Sequence, residues 1–369
     1  MAWATSRALV IVLGVATSLA FGVPERGVDH AVPHALATLG GWDTGWYLDV
    51  ARHGYAHDTG QVGEVFSNLA FFPLLPGVMA AALAIGLNPF ITALVVSNLA
   101  FLAALQGFHV LSAGRFGEEA ATRSTWALAL LPTAAYASLA YTEGIVLACA
   151  LGAALAATRG RPGLAGLAAA AATLARPTGI LVVLLAGLLT LPGSDAGRVR
   201  RVALAVGPGI VALAAFLAWM AVARGSALLP FEAQHAWDRG QVGIGLVTAA
   251  PSEISAGWHH IVSGTGGAAW HATIRDLAFL ALYLWLLVRL WRSEGGLRSP
   301  WVAYSAAAIA LPLSSGTITS MARFGLLAFP LMWALGDWLG AERGRMARWA
   351  GVAVVLIALI VAQLTMRSP

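Results

Sequence analysis

Apolar runs too long for the core of a small soluble domain recur along almost the whole chain, at about residues 8–22, 89–112, 125–140, 143–158, 163–175, 179–192, 202–223, 272–291, 300–314, 324–341 and 349–366. Irregular backbone cannot satisfy its N–H and C=O groups in hydrocarbon, so each run reads as a helix. Hydrophobic residues fill 59% of the 369 positions and charged residues only 11%, which leaves most of the length to be solvated by lipid. The expected fold is an all-α polytopic membrane protein, a bundle of about eleven transmembrane helices. No period of 20–50 residues repeats, and no low-complexity linker or soluble appendage of domain size divides the chain, so residues 1–369 read as one membrane domain. Residues 8–22 behind Arg7 could end at a small-residue cleavage site, Ser18-Leu19-Ala20; an uncleaved first span is the expectation.

The charges then set topology. All 22 basic residues are Arg, in short clusters between apolar runs, a loop pattern rather than a nucleic-acid patch. The single cysteine, Cys149, lies in an apolar run and excludes an intrachain disulfide or a cysteine zinc site. Residues 70–86 are apolar, but the run is short for a span and carries Pro73 and Pro76 near its start. It reads as a re-entrant or interfacial helix after the first outer loop. On that reading the clusters at Arg115/Arg123, Arg159/Arg161, Arg198/Arg200/Arg201, Arg292/Arg298 and Arg343/Arg345/Arg348 all fall on the side of Arg7. The positive-inside rule makes that side, and the N-terminus, cytoplasmic. The outer loops are then about 23–88 and 224–271, and Asp43, Glu143, Arg176, the 224–270 loop and Arg323 share the outer face.

Between the first two runs stand Gly41-Trp42-Asp43-Thr44-Gly45-Trp46-Tyr47, Ala51-Arg52-His53-Gly54-Tyr55 and Ala70-Phe71-Phe72-Pro73. Further on come Tyr141-Thr142-Glu143, Ala175-Arg176-Pro177-Thr178-Gly179, and Arg323-Phe324 with Phe329-Pro330-Leu331. Taken in order, these resemble the pattern of the PIG-V family of mannosyltransferases, in the GT-C class of glycosyltransferases that use polyprenyl-phosphate sugars. The resemblance covers nearly the whole chain. It implies a multi-span helical fold, an acidic residue in the first outer loop and a lipid-phosphate donor, with Trp42, Trp46, Tyr47, His53, Tyr55 and Tyr141 lining the substrate site. The chain has no Asp-X-Asp motif and no Gly-rich strand-to-helix turn for a nucleotide.

Asp43 has two compatible readings. It could cap a short helix over 44–52 that ends at Gly54, with Trp46, Tyr47 and Val50 packing beneath it. It could also be the base that takes a proton from an acceptor hydroxyl. Asp49 lies well around such a helix and reads as a surface residue. Glu143, between two apolar runs, is expected to aim into the cavity as a second carboxylate near the reacting centre. The Arg176-Pro177-Thr178-Gly179 break separates two short runs, like the broken helices that line polar sites at membrane depth. Its planar fork of donors suits a lipid phosphate, with Arg323 as a second candidate, and a hairpin with a snorkelling Arg is the alternative. Gln234, His235 and Trp237 are candidates for acceptor binding. His259 and His260 are adjacent and lack a carboxylate at metal-ligand spacing, so neither a metal nor a cofactor is expected.

The expected activity is inverting transfer of a hexose, mannose by resemblance, from polyprenyl phosphate to a glycan or glycolipid hydroxyl on the outer face. Asp43 and Glu143 are the candidate catalytic residues; the partners are donor, acceptor and membrane lipid, with no nucleic acid. A secondary transporter or lipid flippase would share the broken hairpin and the intramembrane charges. A transferase-like scaffold without activity is the third reading.

Overall fold

The computed structural model describes residues 1–21, 32–192, 196–239, 245–263 and 269–364. Among these, helix dominates and the only bridge pairing joins Val62 to Val65. Helices α1 (Ala2–Phe21), α4 (Pro89–Phe116), α9 (Arg198–Arg224) and α16 (Arg345–Gln363) are long and apolar enough to cross a membrane. A fifth crossing arises if the 3₁₀ segment Pro132–Ser138 and α6 (Glu143–Thr158), bent by 102°, are counted together. The chain is an all-α protein of membrane type.

Five expected runs are shorter or broken. Helices α7 (Pro162–Ala175), α8 (Ile180–Thr190) and α13 (Pro300–Leu313) have 14, 11 and 14 residues. At 1.5 Å per residue they reach only about 16–21 Å, against roughly 30 Å of hydrocarbon. The 125–140 run divides into α5 (Glu118–Ala129) and the 3₁₀ segment that starts at Pro132, a residue with no N–H to continue the helix. The 324–341 run divides into α14 (Met321–Phe324), a 3₁₀ turn at Gly325–Leu327 and α15 (Leu331–Gly340), with Pro330 at the second break. Helix α12 (Ala269–Glu294) is continuous.

The segment between α1 and α4 carries α2 (Asp43–His53) and α3 (Leu74–Ala84). Helix α2 stops at Gly54, whose φ of 76° turns the chain away while its N–H returns to Val50 O at 2.9 Å. The core joins nearly all the long helices, and a second cluster of Val50, Tyr55, Leu69, Phe72, Phe216 and Met220 ties α2 to α9. Close approach fixes the neighbours of the site. A Cβ on Gly144 would stand 2.6 Å from Ser97 O, so glycine lets α6 seat against α4, where Ser97 Oγ donates to Tyr141 O at 2.6 Å.

Arg7 does not mark a loop. It is buried inside α1, with Nη1 donating to Ala134 O at 2.8 Å and Ser138 Oγ at 2.7 Å, and with its guanidinium 4.4 Å from the Phe101 ring. It pins the 3₁₀ segment that leads to Tyr141 and Glu143. Other arginines meet at the far end of the bundle: Arg115 pairs with Glu294 at 2.7 Å, Arg289 with Asp337 at 3.1 Å, and Arg345 with Glu342 at 2.8 Å.

Candidate active site

Helix α2, the Arg176 break, the 228–239 segment and the turn before α14 enclose a cavity of about 1620 Å³. Asp43 is the first helical residue of α2, and no side chain caps that helix. The cap reading is therefore corrected: Asp43 Oδ2 takes an ion pair from Arg323 Nη2 at 2.5 Å. Its backbone N–H donates to Tyr141 Oη at 3.3 Å, and that hydroxyl donates to Gly41 O at 3.2 Å. Oδ1 has no protein partner among the described residues.

Glu143 is also corrected. It is fully buried behind the cavity wall rather than on it, because its Oε1 accepts both Arg176 Nη1, at 2.7 Å, and Arg323 Nε. Its Oε2 has no hydrogen-bond partner. Glu143 is thus a clamp on two guanidiniums, out of reach of a substrate hydroxyl. Arg176 follows α7 in extended conformation, and a Cβ on Gly179 would collide with Ala172 O, so the Pro-Thr-Gly turn folds back tightly against α7. The hairpin and the cavity-facing roles of Arg176 coexist.

Arg239 went unassigned in the sequence. It lines the cavity, donates to Thr319 O, and lies 4.7 Å from the Phe324 ring, on which Arg176 also packs at 4.9 Å. No carboxylate pairs with it among the described residues. Burial of the guanidinium, reinforced by the nearby charges of Arg323 and Arg176, pushes its pKa down to about 10, still cationic at neutral pH. Arg176, Arg239 and Arg323 stand against Asp43 and Glu143, so this cluster keeps one positive charge in excess. Behind it, buried Asp276 accepts Ser320 N–H at 3.0 Å and Ala322 N–H at 2.8 Å, holding the turn that presents Arg323, and pairs with Arg275 at 2.9 Å. Arg275 in turn donates to Gln363 Oε1 at 2.6 Å. The signal for this pair was the adjacent opposite charges inside the apolar 272–291 run.

Among the described residues, three other than glycine have φ near +60°: Trp42, Asp238 and Ser320. Each lies within three residues of a charged group on the cavity wall: Asp43, Arg239 and Arg323. Such backbone costs on the order of 1–3 kcal/mol and collects at functional sites, so it singles out these three positions without reference to motifs.

The remaining candidates divide. Trp42, Trp46, Tyr47, His53, Tyr141, Gln234, His235 and Trp237 all line the cavity. Gln234 spends its amide on Ala70 O at 3.0 Å, while Trp237 packs edge-on to Trp46 and Phe71. Tyr55 does not line it and is corrected to a structural role: it is buried, with Oη donating to Phe71 O at 2.8 Å. His259 is exposed on α11 (Gly245–Ser263), and the side chain of His260 lies outside the described residues. No group of His, Cys, Asp and Glu among the described residues has metal-binding geometry. No known protein family, curated protein or solved structure matches the chain.

Proposed function

We propose that this chain is a membrane glycosyltransferase that moves a hexose, mannose on the resemblance of its motifs, from a polyprenyl phosphate to an acceptor hydroxyl. The observation that carries the reading is the carboxylate of Asp43, which lines the cavity in direct ion-pair contact with the arginine cluster of Arg176, Arg239 and Arg323. The donor phosphodiester supplies the missing anion. Arg239, which no carboxylate among the described residues pairs with, joins Arg176 as its receptor, and Arg323 takes the charge that develops on the leaving oxygen. Ile180, Leu228, Leu311, Pro312 and Ile360 give the same cavity an apolar side suited to the isoprenoid tail.

The acceptor hydroxyl oxygen bonds to the anomeric carbon as the bond from that carbon to the phosphate oxygen breaks. The electron pair leaves with polyprenyl phosphate, and the acceptor proton passes to Asp43, which inverts the anomeric centre. Phosphate is a competent leaving group, so positioning and charge stabilisation carry most of the acceleration, with the base adding about 10²–10⁴-fold. Asp43 is available once the incoming phosphate draws Arg323 away from Oδ2.

We propose about eleven crossings in the bilayer, each short helix completing a crossing together with the segment that flanks it, and α3 as the re-entrant element because its short run begins at Pro73 and Pro76. The arginine pairs at the far end suit the cytoplasmic face and the cavity the outer face. Cysteines at Thr59 and Ser226 should then react with an impermeant thiol reagent from outside and one at Gly197 should not; the reverse pattern inverts the topology.

Transfer of labelled mannose from polyprenyl-phosphate mannose to a membrane glycolipid extract by the purified protein tests the activity. No transfer, with accumulation of sugar or lipid across sealed vesicles, would replace the transferase with a transporter.

A further inference from the structure

Helix α2 carries a second polar group in the same cavity. Asp43, Trp46, Asp49 and His53 follow one another at intervals of three, three and four residues, which spreads them over about a third of the helix circumference with Asp43 and Asp49 at its edges, and all four line the cavity, so Asp49 is corrected from a plain surface residue to a cavity residue. His53 Nδ1 meets Asp49 Oδ1 at 2.9 Å, and Asn68 Nδ2 donates to Asp49 Oδ2 at 2.6 Å. Asn68 is only 4% exposed; it also donates to Gly54 O at 3.1 Å and accepts Ala56 N–H at 2.9 Å. An ordinary carboxylate–imidazole pair four residues apart on a helix is solvated and floppy. Here a buried amide holds the carboxylate, the carboxylate holds one ring nitrogen, and Nε2 makes no hydrogen bond among the described residues on a side chain 71% exposed.

The arginine cluster uses none of these groups. Ten residues of helix separate Asp43 from His53, about 15 Å of rise, the length of roughly three sugar rings laid end to end. Trp46 stands between them, one turn from Asp43 and two turns from His53, its indole stacked on Phe71 and met edge-on by Trp237, so that rigid aromatic surface occupies the interval. A polar group, an aromatic platform and a second polar group spaced along one line match a saccharide chain: apolar C–H faces pack on indole, and ring hydroxyls both donate and accept hydrogen bonds.

We propose that α2 is an acceptor track, with Asn68, Asp49 and His53 forming a distal sugar subsite that reads a residue remote from the reacting hydroxyl. Asp49 accepts from one hydroxyl of that sugar, and His53 contributes its free ring nitrogen to another. The acceptor is therefore an oligosaccharide chain, free or lipid-linked, whose terminal hydroxyl reaches Asp43 while its preceding sugars lie along Trp46 and His53. This rests on the transferase reading for its vocabulary but not for its measurement, since binding is read without donor.

The test uses the full-length protein in detergent, without donor, titrated with the methyl glycosides of mannose, mannobiose and mannotriose and followed by saturation-transfer NMR. Affinity should rise by about tenfold or more from the monosaccharide to the trisaccharide, and in His53→Ala the three should bind alike. His53 is exposed, so this variant folds; Asn68→Ala should have the same effect by releasing Asp49. Equal affinities in the unaltered protein, persistence of the gain in His53→Ala, or no saccharide binding at all would each overturn the track. Adding labelled donor separates the two readings. Transfer to the monosaccharide as readily as to the trisaccharide removes the track and keeps the transferase; length-dependent binding with no transfer removes the transferase and keeps the track.

Discussion

Arginine meets carboxylate at both ends of this molecule, and the two ends handle the pairing differently. At the far end Arg115 faces Glu294, Arg345 and Arg348 share Glu342, and Arg123 faces Glu119; Glu294 is mostly covered, but Glu342, Arg348 and Glu119 are open to solvent. Around the cavity Arg323 is shared by Asp43 and Glu143, and Glu143 by Arg176 and Arg323, nearly all of it buried. Exposed pairs contribute about 0–1 kcal/mol each. A buried network seldom repays the desolvation of its ions, so its presence points to work other than holding the fold together. On the proposed reading the far end serves topology and solubility and the cavity end serves chemistry.

The largest expected effect follows from breaking the buried network at its centre. Glu143→Ala leaves two guanidiniums without their shared partner and should cost about 3–5 kcal/mol, read as a large loss of thermal stability and of folded yield. Arg176→Lys keeps the charge but loses the fork that bonds Glu143 and phosphate together, so donor use should fall while the fold survives. Near-normal KM and kcat for donor in that variant would assign Arg176 to the hairpin alone. Arg239→Ala removes the guanidinium that lacks a carboxylate: we expect weaker donor binding with little change in melting temperature.

Ser320→Gly relieves a positive-φ position beside Arg323 and should raise stability by about 1 kcal/mol, provided the turn held by Asp276 stays closed. Glu119→Ala at the far end should stay within about 0.5 kcal/mol by the same melting measurement, since the Glu119 side chain is 90% exposed. A cost comparable to that of Glu143→Ala would erase the distinction between the two ends.

Apolar period and length made most helices legible in the sequence, including the short α3 and the break at Arg176, because lipid allows little backbone other than helix. Runs 125–140 and 324–341 look continuous in the sequence because hydropathy registers composition and is blind to a missing N–H; Pro132 and Pro330 carry the contrary signal. Arg7 looked like a flank of the first span. It is a buried pin because Ala134 O, Ser138 and Phe101 receive it, and those lie more than ninety residues away in the chain. Asp43, Arg176 and Arg323 were legible as lone charges beside apolar runs. Their mutual contacts, the retreat of Glu143 behind the wall and the lack of a carboxylate beside Arg239 among the described residues depend on how α6, α7 and α14 pack, which no local pattern encodes.

The central claim is that Asp43 accepts the acceptor's proton. Asp43→Asn keeps the size of the side chain but cannot take a proton at neutral pH, and Glu143 still holds Arg323 in place. Transfer from polyprenyl-phosphate mannose, measured on variant protein that remains monodisperse and still binds the donor, should fall by at least about 10²-fold. Transfer at the rate of the unaltered protein would contradict the account and remove Asp43 from the mechanism.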